Sequence, residues 1–197
     1  MSDRAMTPST TTPLPRVLPV AHPLDDFYAR AGLALPPIEP IEPMRIPEPA
    51  RSLLVHDADM TPTLEAFHGG EVELSVLGRE IRGETYFREV VLRLKDSGKP
   101  VEFGAIKIYL NFFSTEAHRL ILEERLPLGH ILRQCAVPHQ SRPKAFLQVT
   151  SDEVINQALG LSGAVTLYGR RNTHWDPQQR PLSEIVEILP PVIFPRT

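Results

Sequence analysis

Proline sets the strongest constraint on this chain. Eleven of its 21 prolines fall in the first fifty residues, at positions 8, 13, 15, 19, 23, 36, 37, 40, 43, 47 and 49. Proline lacks the backbone donor, so stretches such as Thr7 to Pro15 and Pro36 to Pro49 cannot hold a helix or a central strand. Residues 1–48 are therefore expected to form a largely extended arm, with one short helix around Leu24 to Leu33. Residues 49–197 are expected to form the domain proper. The net charge of −3 argues against a dedicated nucleic-acid binder, which would carry a basic surplus. No apolar run approaches the ~20 residues that span a bilayer. One cysteine, Cys135, excludes an internal disulfide and a cysteine-based zinc site, and a reducing, cytoplasmic setting is expected.

From Ser52 onward the pattern is regular. Thr61-Pro62 reads as a capped helix start, and Gly69-Gly70 as its stop. Strands are expected at 71–77, 84–94, 101–112, 165–169 and 182–189. Helices are expected over 114–124, over the turn LGHILRQ after Pro127, and from a capping box at Thr150 to Glu153 as far as Gly160. Hairpins outnumber βαβ units, so the fold class is α+β: a single domain, an antiparallel sheet with helices packed on one face.

Familiar catalytic signatures are absent. There is no phosphate-binding glycine loop, nucleophile elbow or HExxH motif. The seven histidines, at 22, 56, 68, 118, 130, 139 and 174, show no metal-ligand spacing, so no metal is expected. Cys135 has no marked partner base and reads as a packing residue. Arg88 stands out because it shares strand parity with Val90, Leu92 and Leu94. An arginine on an apolar face must find an anion, since an unpaired buried charge costs several kcal/mol. Glu187 shares its face with Ile185 and Leu189; Glu184 shares the opposite one with Leu182, Val186 and Ile188. Parity leaves both glutamates open. Two uses fit the pattern: a structural Arg–Glu pair, or a closed pocket in which arginine clamps a carboxylate and glutamate bonds a hydroxyl.

The ordered segments resemble the chorismate pyruvate-lyase (4-hydroxybenzoate synthase) family over about residues 52–192. They are Asp59-Met60-Thr61, Arg88-Glu89-Val90-Val91-Leu92, Gly98-Lys99-Pro100, Pro127-Leu128-Gly129, Leu167-Tyr168-Gly169-Arg170-Arg171 and Arg180-Pro181-Leu182 with Glu187. The resemblance implies that Arg88 grips the carboxylate of chorismate or 4-hydroxybenzoate. It implies that Glu187 bonds the oxygen at ring position four and assists proton movement. Met60, Leu128 and Gly129 would close the pocket through main-chain contacts. Glu187 stands one residue late relative to Pro190, which implies a bulge or register shift, and Asn172 to Gln179 reads as a polar insert. The implied enzyme is a monomeric, cofactor-independent lyase releasing pyruvate and feeding quinone synthesis, its partner a small-molecule substrate. The alternative is a non-catalytic sensor of aromatic carboxylates, since effector domains of bacterial regulators share this fold. Such regulators place a helix-turn-helix ahead of the ligand domain, where this chain is rich in proline.

Overall fold

The computed structural model describes residues 19–192. The proline run from Thr7 to Pro15 therefore lies outside the described residues. One antiparallel sheet of seven strands organises the rest, in the order β1-β5-β6-β7-β4-β3-β2. The strands are β1 (Ile38–Pro40), β2 (Val72–Arg82), β3 (Thr85–Leu94), β4 (Pro100–Tyr109), β5 (Gln140–Thr150), β6 (Thr166–Trp175) and β7 (Pro181–Leu189). Six α-helices accompany them: α1 (Leu24–Ala31), α2 (Ala50–Leu54), α3 (Met60–His68), α4 (Thr115–Glu123), α5 (Leu128–Gln134) and α6 (Glu153–Leu159). The architecture is α+β, as expected.

The helices, however, cover both faces of the sheet and not one. Leu24, Phe27 and Tyr28 of α1 and Ile155, Ala158 and Leu159 of α6 pack on Phe87, Val91, Phe103, Val186 and Ile188. The opposite face carries two clusters. Ala117, Leu120 and Ile121 of α4 join Leu128, Ile131 and Leu132 of α5 over Tyr86, Ile106, Ile108 and Ile185. Leu53, Leu54, Met60 and Leu64 of α2 and α3 lie over Val72, Leu92 and Leu189. The central strands are apolar on both faces, because each face has its own cover.

Residues 19–48 correct the expected arm. Its short helix is α1, but α1 is part of the core: Leu24 is fully buried, and the Tyr28 hydroxyl donates to Asp152 Oδ1 at 3.0 Å. Ile38–Pro40 adds an edge strand to β5, and Ile46 is buried beside α2. Proline is tolerated here because β1 is an edge strand, where a missing donor leaves no ladder broken. A division at residue 48 thus cuts through packed structure.

Local signals account for most of the remaining elements. Gly69 and Gly160 end their helices with positive φ (66° and 68°). Ser114 caps α4 by accepting from the Ala117 amide. Several boundaries differ from expectation, among them the end of β2, which runs on to Arg82. Helix α3 begins at Met60 with Asp59 at its N-cap, so Thr61 does not cap it. Asp152 caps α6 by accepting from the Ile155 amide, and Thr150 remains in β5. Strand β4 ends at Tyr109 and gives way to a 3-10 turn over Leu110–Phe112. Asn172 to Trp175, expected in an insert, completes β6. Its polar residues are buried and half partnered: Asn172 Nδ2 donates to Ser141 Oγ at 2.8 Å and His174 Nδ1 lies 2.9 Å from Ser183 Oγ, while Asn172 Oδ1, His174 Nε2 and Trp175 Nε1 have no partner.

Candidate functional site

Strand parity aims a consistent set of residues at α3 and α5. Ladder register aligns Arg88 with Ile106 and Ile106 with Ile185 in one row across three strands. The next row runs from Val90 through Gly104 to Glu187. Two strand spacings and two residues separate Arg88 from Glu187, so their Cα atoms stand roughly 12 Å apart. Between them lies a cavity of about 50 Å³, at the seam between the two apolar clusters of this face. Met60, Arg88, Leu128, Gly129 and Glu187, the five residues expected at a site, all line it. Glu184 does not: it turns to the other face, accepts from the Tyr109 hydroxyl at 2.7 Å and pairs with Lys107 at 3.2 Å. The register shift expected between Glu187 and Pro190 is not found: the β6 and β4 ladders run regularly through Glu187 and Ile188, and the irregularity of β7 lies at Leu182, between His174 and Trp175.

The roof is tight. Gly129 at the start of α5 meets α3 so closely that a Cβ would stand 2.8 Å from Thr61 Oγ1. Any side chain there would push the two helices apart. His130 Nε2 lies 2.9 Å from Glu65 Oε1 and ties the same helices together. Such a volume holds a few waters and is well below the ~150 Å³ that admits benzene. A ring-sized ligand must therefore displace part of this roof.

Arg88 is 1% exposed, and its Nε and Nη1 have no hydrogen-bond partner. Burial pulls its pKa down, and Tyr86 and Glu124 only partly oppose this. Of the two uses the pattern left open, the structural pair between Arg88 and Glu187 is not formed. Glu187 is instead held by Arg170, which is 0% exposed and donates from Nε to Glu187 Oε2. The other nitrogens of Arg170 reach the loop between α2 and α3. Nη1 donates to the carbonyls of Leu54 and His56 at 3.2 and 3.0 Å, and Nη2 to Ala58 at 3.1 Å. One guanidinium thus fixes both the glutamate and the approach to Met60. Burial and the nearby Arg170 charge push His56 below the usual histidine range.

Two further groups that line this cavity, Glu102 and His174, and Arg170 behind Glu187 are not singled out by the sequence pattern. Glu102 shares parity with Ile106 and Ile108, a signal as plain as that for Arg88. Arg170 belongs to the Leu167 to Arg171 segment, which assigns it no role. His174 falls in the expected insert. Glu102 is buried with Oε2 unpartnered. Burial first, then the Glu187 charge, push its carboxyl well above the usual range against the pull of Arg170.

The proton held on Glu102 makes stability depend on pH. The folded chain keeps a proton there that the unfolded chain releases near the ordinary value of 4.5. Stability from this group is therefore complete below that pH and is lost as pH rises toward the folded pKa, by at most ~1.4 kcal/mol per unit. Glu102→Gln should remove that loss. Urea unfolding at pH 5 and pH 8 should show wild type falling relative to the variant; parallel curves would mean that Glu102 ionises as it does in water.

No family model matches this chain, and no curated protein sequence matches it. Solved structures do. PhnF from Mycobacterium smegmatis superposes with a TM-score of 0.54 at 10% identity, covering 86% of this chain and 93% of that one. The effector domain of PhnF gives 0.53 at 11% identity, with 69% and 90% covered. YydK of Bacillus subtilis, described as a possible transcriptional regulator, gives 0.50 at 11% identity, with 64% of this chain and 62% of that one covered. Identities this low carry the fold and nothing finer. The resemblance to chorismate pyruvate-lyase accordingly rests on the order of its motifs. No helix among the described residues is long and apolar enough to cross a membrane.

Proposed function

We infer that the cavity binds a small carboxylate, and that the chain acts as an effector-type binding domain for an aromatic acid. The observation that carries this reading is Arg88, a fully buried guanidinium with two unpartnered nitrogens, Nε and Nη1, at the cavity under α3 and α5. A carboxylate is the acceptor such a cation calls for; because Nε and Nη1 point along different edges of the guanidinium, one carboxylate meets one of these edges and not both. Val90, Leu92, Ile106, Leu128 and Ile185 supply apolar walls suited to a ring. The likeness to the PhnF effector domain in fold supports a binding role, and 4-hydroxybenzoate is the first ligand to test.

A second reading, chorismate lyase activity without a cofactor, is favoured by the carboxyl groups at the far end. Glu187 is paired with Arg170, while Glu102 retains its proton. A protonated carboxyl beside an ion-paired one could stabilise charge and move a proton as the enolpyruvyl C–O bond breaks. Purified protein given chorismate separates the two readings. Aromatic-acid binding without pyruvate release supports the effector domain. Catalytic release of pyruvate with 4-hydroxybenzoate establishes the lyase. Failure to bind either compound overturns both.

A further inference from the structure

Asp59, His139 and His174 are remote in sequence, but the fold collects them. Asp59 caps α3, His139 precedes β5 and His174 lies on β6, where the register sets it opposite Ser141. Their donor atoms all lie within 4.8 Å of one another. His139 Nε2 is 3.0 Å from Asp59 Oδ2, and His174 Nε2 is 3.3 Å from Asp59 Oδ1. Ligand atoms ~2.1 Å from one centre stand about 3.0 Å apart at right angles and about 3.4 Å apart at tetrahedral angles. Measured to the single oxygen Oδ1, His139 and His174 stand at 3.1 and 3.3 Å, inside that interval, and the edge between the two histidines is no longer than 4.8 Å.

The protons point the same way. His139 Nδ1 lies 2.8 Å from the Val137 carbonyl, which can only accept, so Nδ1 carries a hydrogen. Its Nε2 faces the Asp59 carboxylate at hydrogen-bond distance, a gap that either a proton or a metal ion can bridge. His174 is 4% exposed, and its Nε2 has no hydrogen-bond partner because its approach to Asp59 lacks the alignment. Its other nitrogen is held by Ser183 Oγ. One ring nitrogen anchored and the other free beside a carboxylate is how protein scaffolds orient metal-binding histidines.

We propose that Asp59, His139 and His174 bind one divalent transition-metal ion, with zinc the first candidate. Two imidazoles and one carboxylate suit zinc, cobalt, nickel or ferrous iron; magnesium and calcium prefer oxygen donors throughout. Three protein ligands leave a position for water or for an oxygen of a bound molecule. The site occupies the wall between two spaces. Asp59 and His174 line the cavity beside Arg88, while Asp59 and His139 line a more open cleft with Asp57, Gln140 and Arg142. The proposal stands apart from the carboxylate reading, since Arg88 is not among the ligands. The competing occupant is a proton, with His139 an imidazolium paired to Asp59.

Untagged full-length protein, freed of metal by a chelator, should be titrated with Zn²⁺ by calorimetry and with Co²⁺ by absorption. One equivalent should bind in the micromolar range or tighter, and Co²⁺ should develop ligand-field bands. His139→Gln and Asp59→Asn should each weaken binding at least tenfold, with unchanged far-UV circular dichroism confirming the fold. His22→Gln is the control, because His22, Asp25 and Asp26 form a second cluster of potential ligands. Absence of stoichiometric binding to folded wild-type protein overturns the proposal whatever the variants do. So does binding that follows His22 instead of His139.

Discussion

Arg170→Met should destabilise the fold by about 3–5 kcal/mol, read as a lower urea midpoint at unchanged slope. The guanidinium is fully buried, pairs with Glu187 and donates to the carbonyls of Leu54, His56 and Ala58. Methionine fills much of its volume, so the loss comes from electrostatics and unmade hydrogen bonds more than from a void. Glu187 would remain as an unpaired buried charge beside Glu102, and three carbonyls would each lose one donor, with Leu54 O keeping the His56 amide and Ala58 O the Ser141 hydroxyl. Removing both charges should be milder than removing one. Arg170→Met combined with Glu187→Leu should recover part of the loss, because hydrophobic groups can replace a buried pair at little cost. A double variant as unstable as the sum of the two singles would show that the pair does not act as a unit. Arg170→Lys tests geometry: a single ammonium cannot serve four acceptors lying in different directions.

What the sequence makes legible follows from the range of the underlying forces. Period-two alternation reports which side of a strand meets the core, so the face of Arg88 and the two faces of Glu184 and Glu187 are readable from the residue pattern alone. The choice between the glutamates is not, because both faces of this sheet are buried and either tolerates a carboxylate with a partner. That choice depends on which helices cover which side. Here α1 and α6 cover one face, and α2 to α5 cover the other. Strand β5 has no counterpart among the expected strands, because Pro143 and a bulge between Pro143 and Ala145 interrupt its alternation. The strand survives because β1 pairs only with Leu147 to Val149, so Pro143 lies on an edge where its missing donor goes unused.

The N-terminal prolines follow the same logic. Their density excludes long regular elements, yet a short helix with Leu24, Phe27 and Tyr28 on one face still completes a core. Proline content constrains local backbone and says little about burial. Arg170 is hidden for another reason: its partners, at 54, 56, 58 and 187, are distant in the chain, and three of them are backbone carbonyls with no side-chain signature.

The second large effect concerns Arg88. Replacing it with methionine should cost little stability, because Nε and Nη1 have no partner to lose. Ligand binding should respond very differently. Loss of a charge-assisted contact at this buried site should weaken an aromatic carboxylate by on the order of 2–5 kcal/mol, roughly thirtyfold to a few thousandfold. A structural arginine would give the opposite ordering: a large stability loss with affinity unchanged.

Calorimetric titration of 4-hydroxybenzoate into wild type and Arg88→Met, with 4-hydroxybenzamide as the neutral match, tests the carboxylate site most directly. The expected result is saturable binding of the acid to wild type, little binding of the amide, and loss of the acid's advantage in Arg88→Met. Equal affinity for acid and amide in wild type, or full retention of acid binding by folded Arg88→Met, would contradict an Arg88 carboxylate clamp.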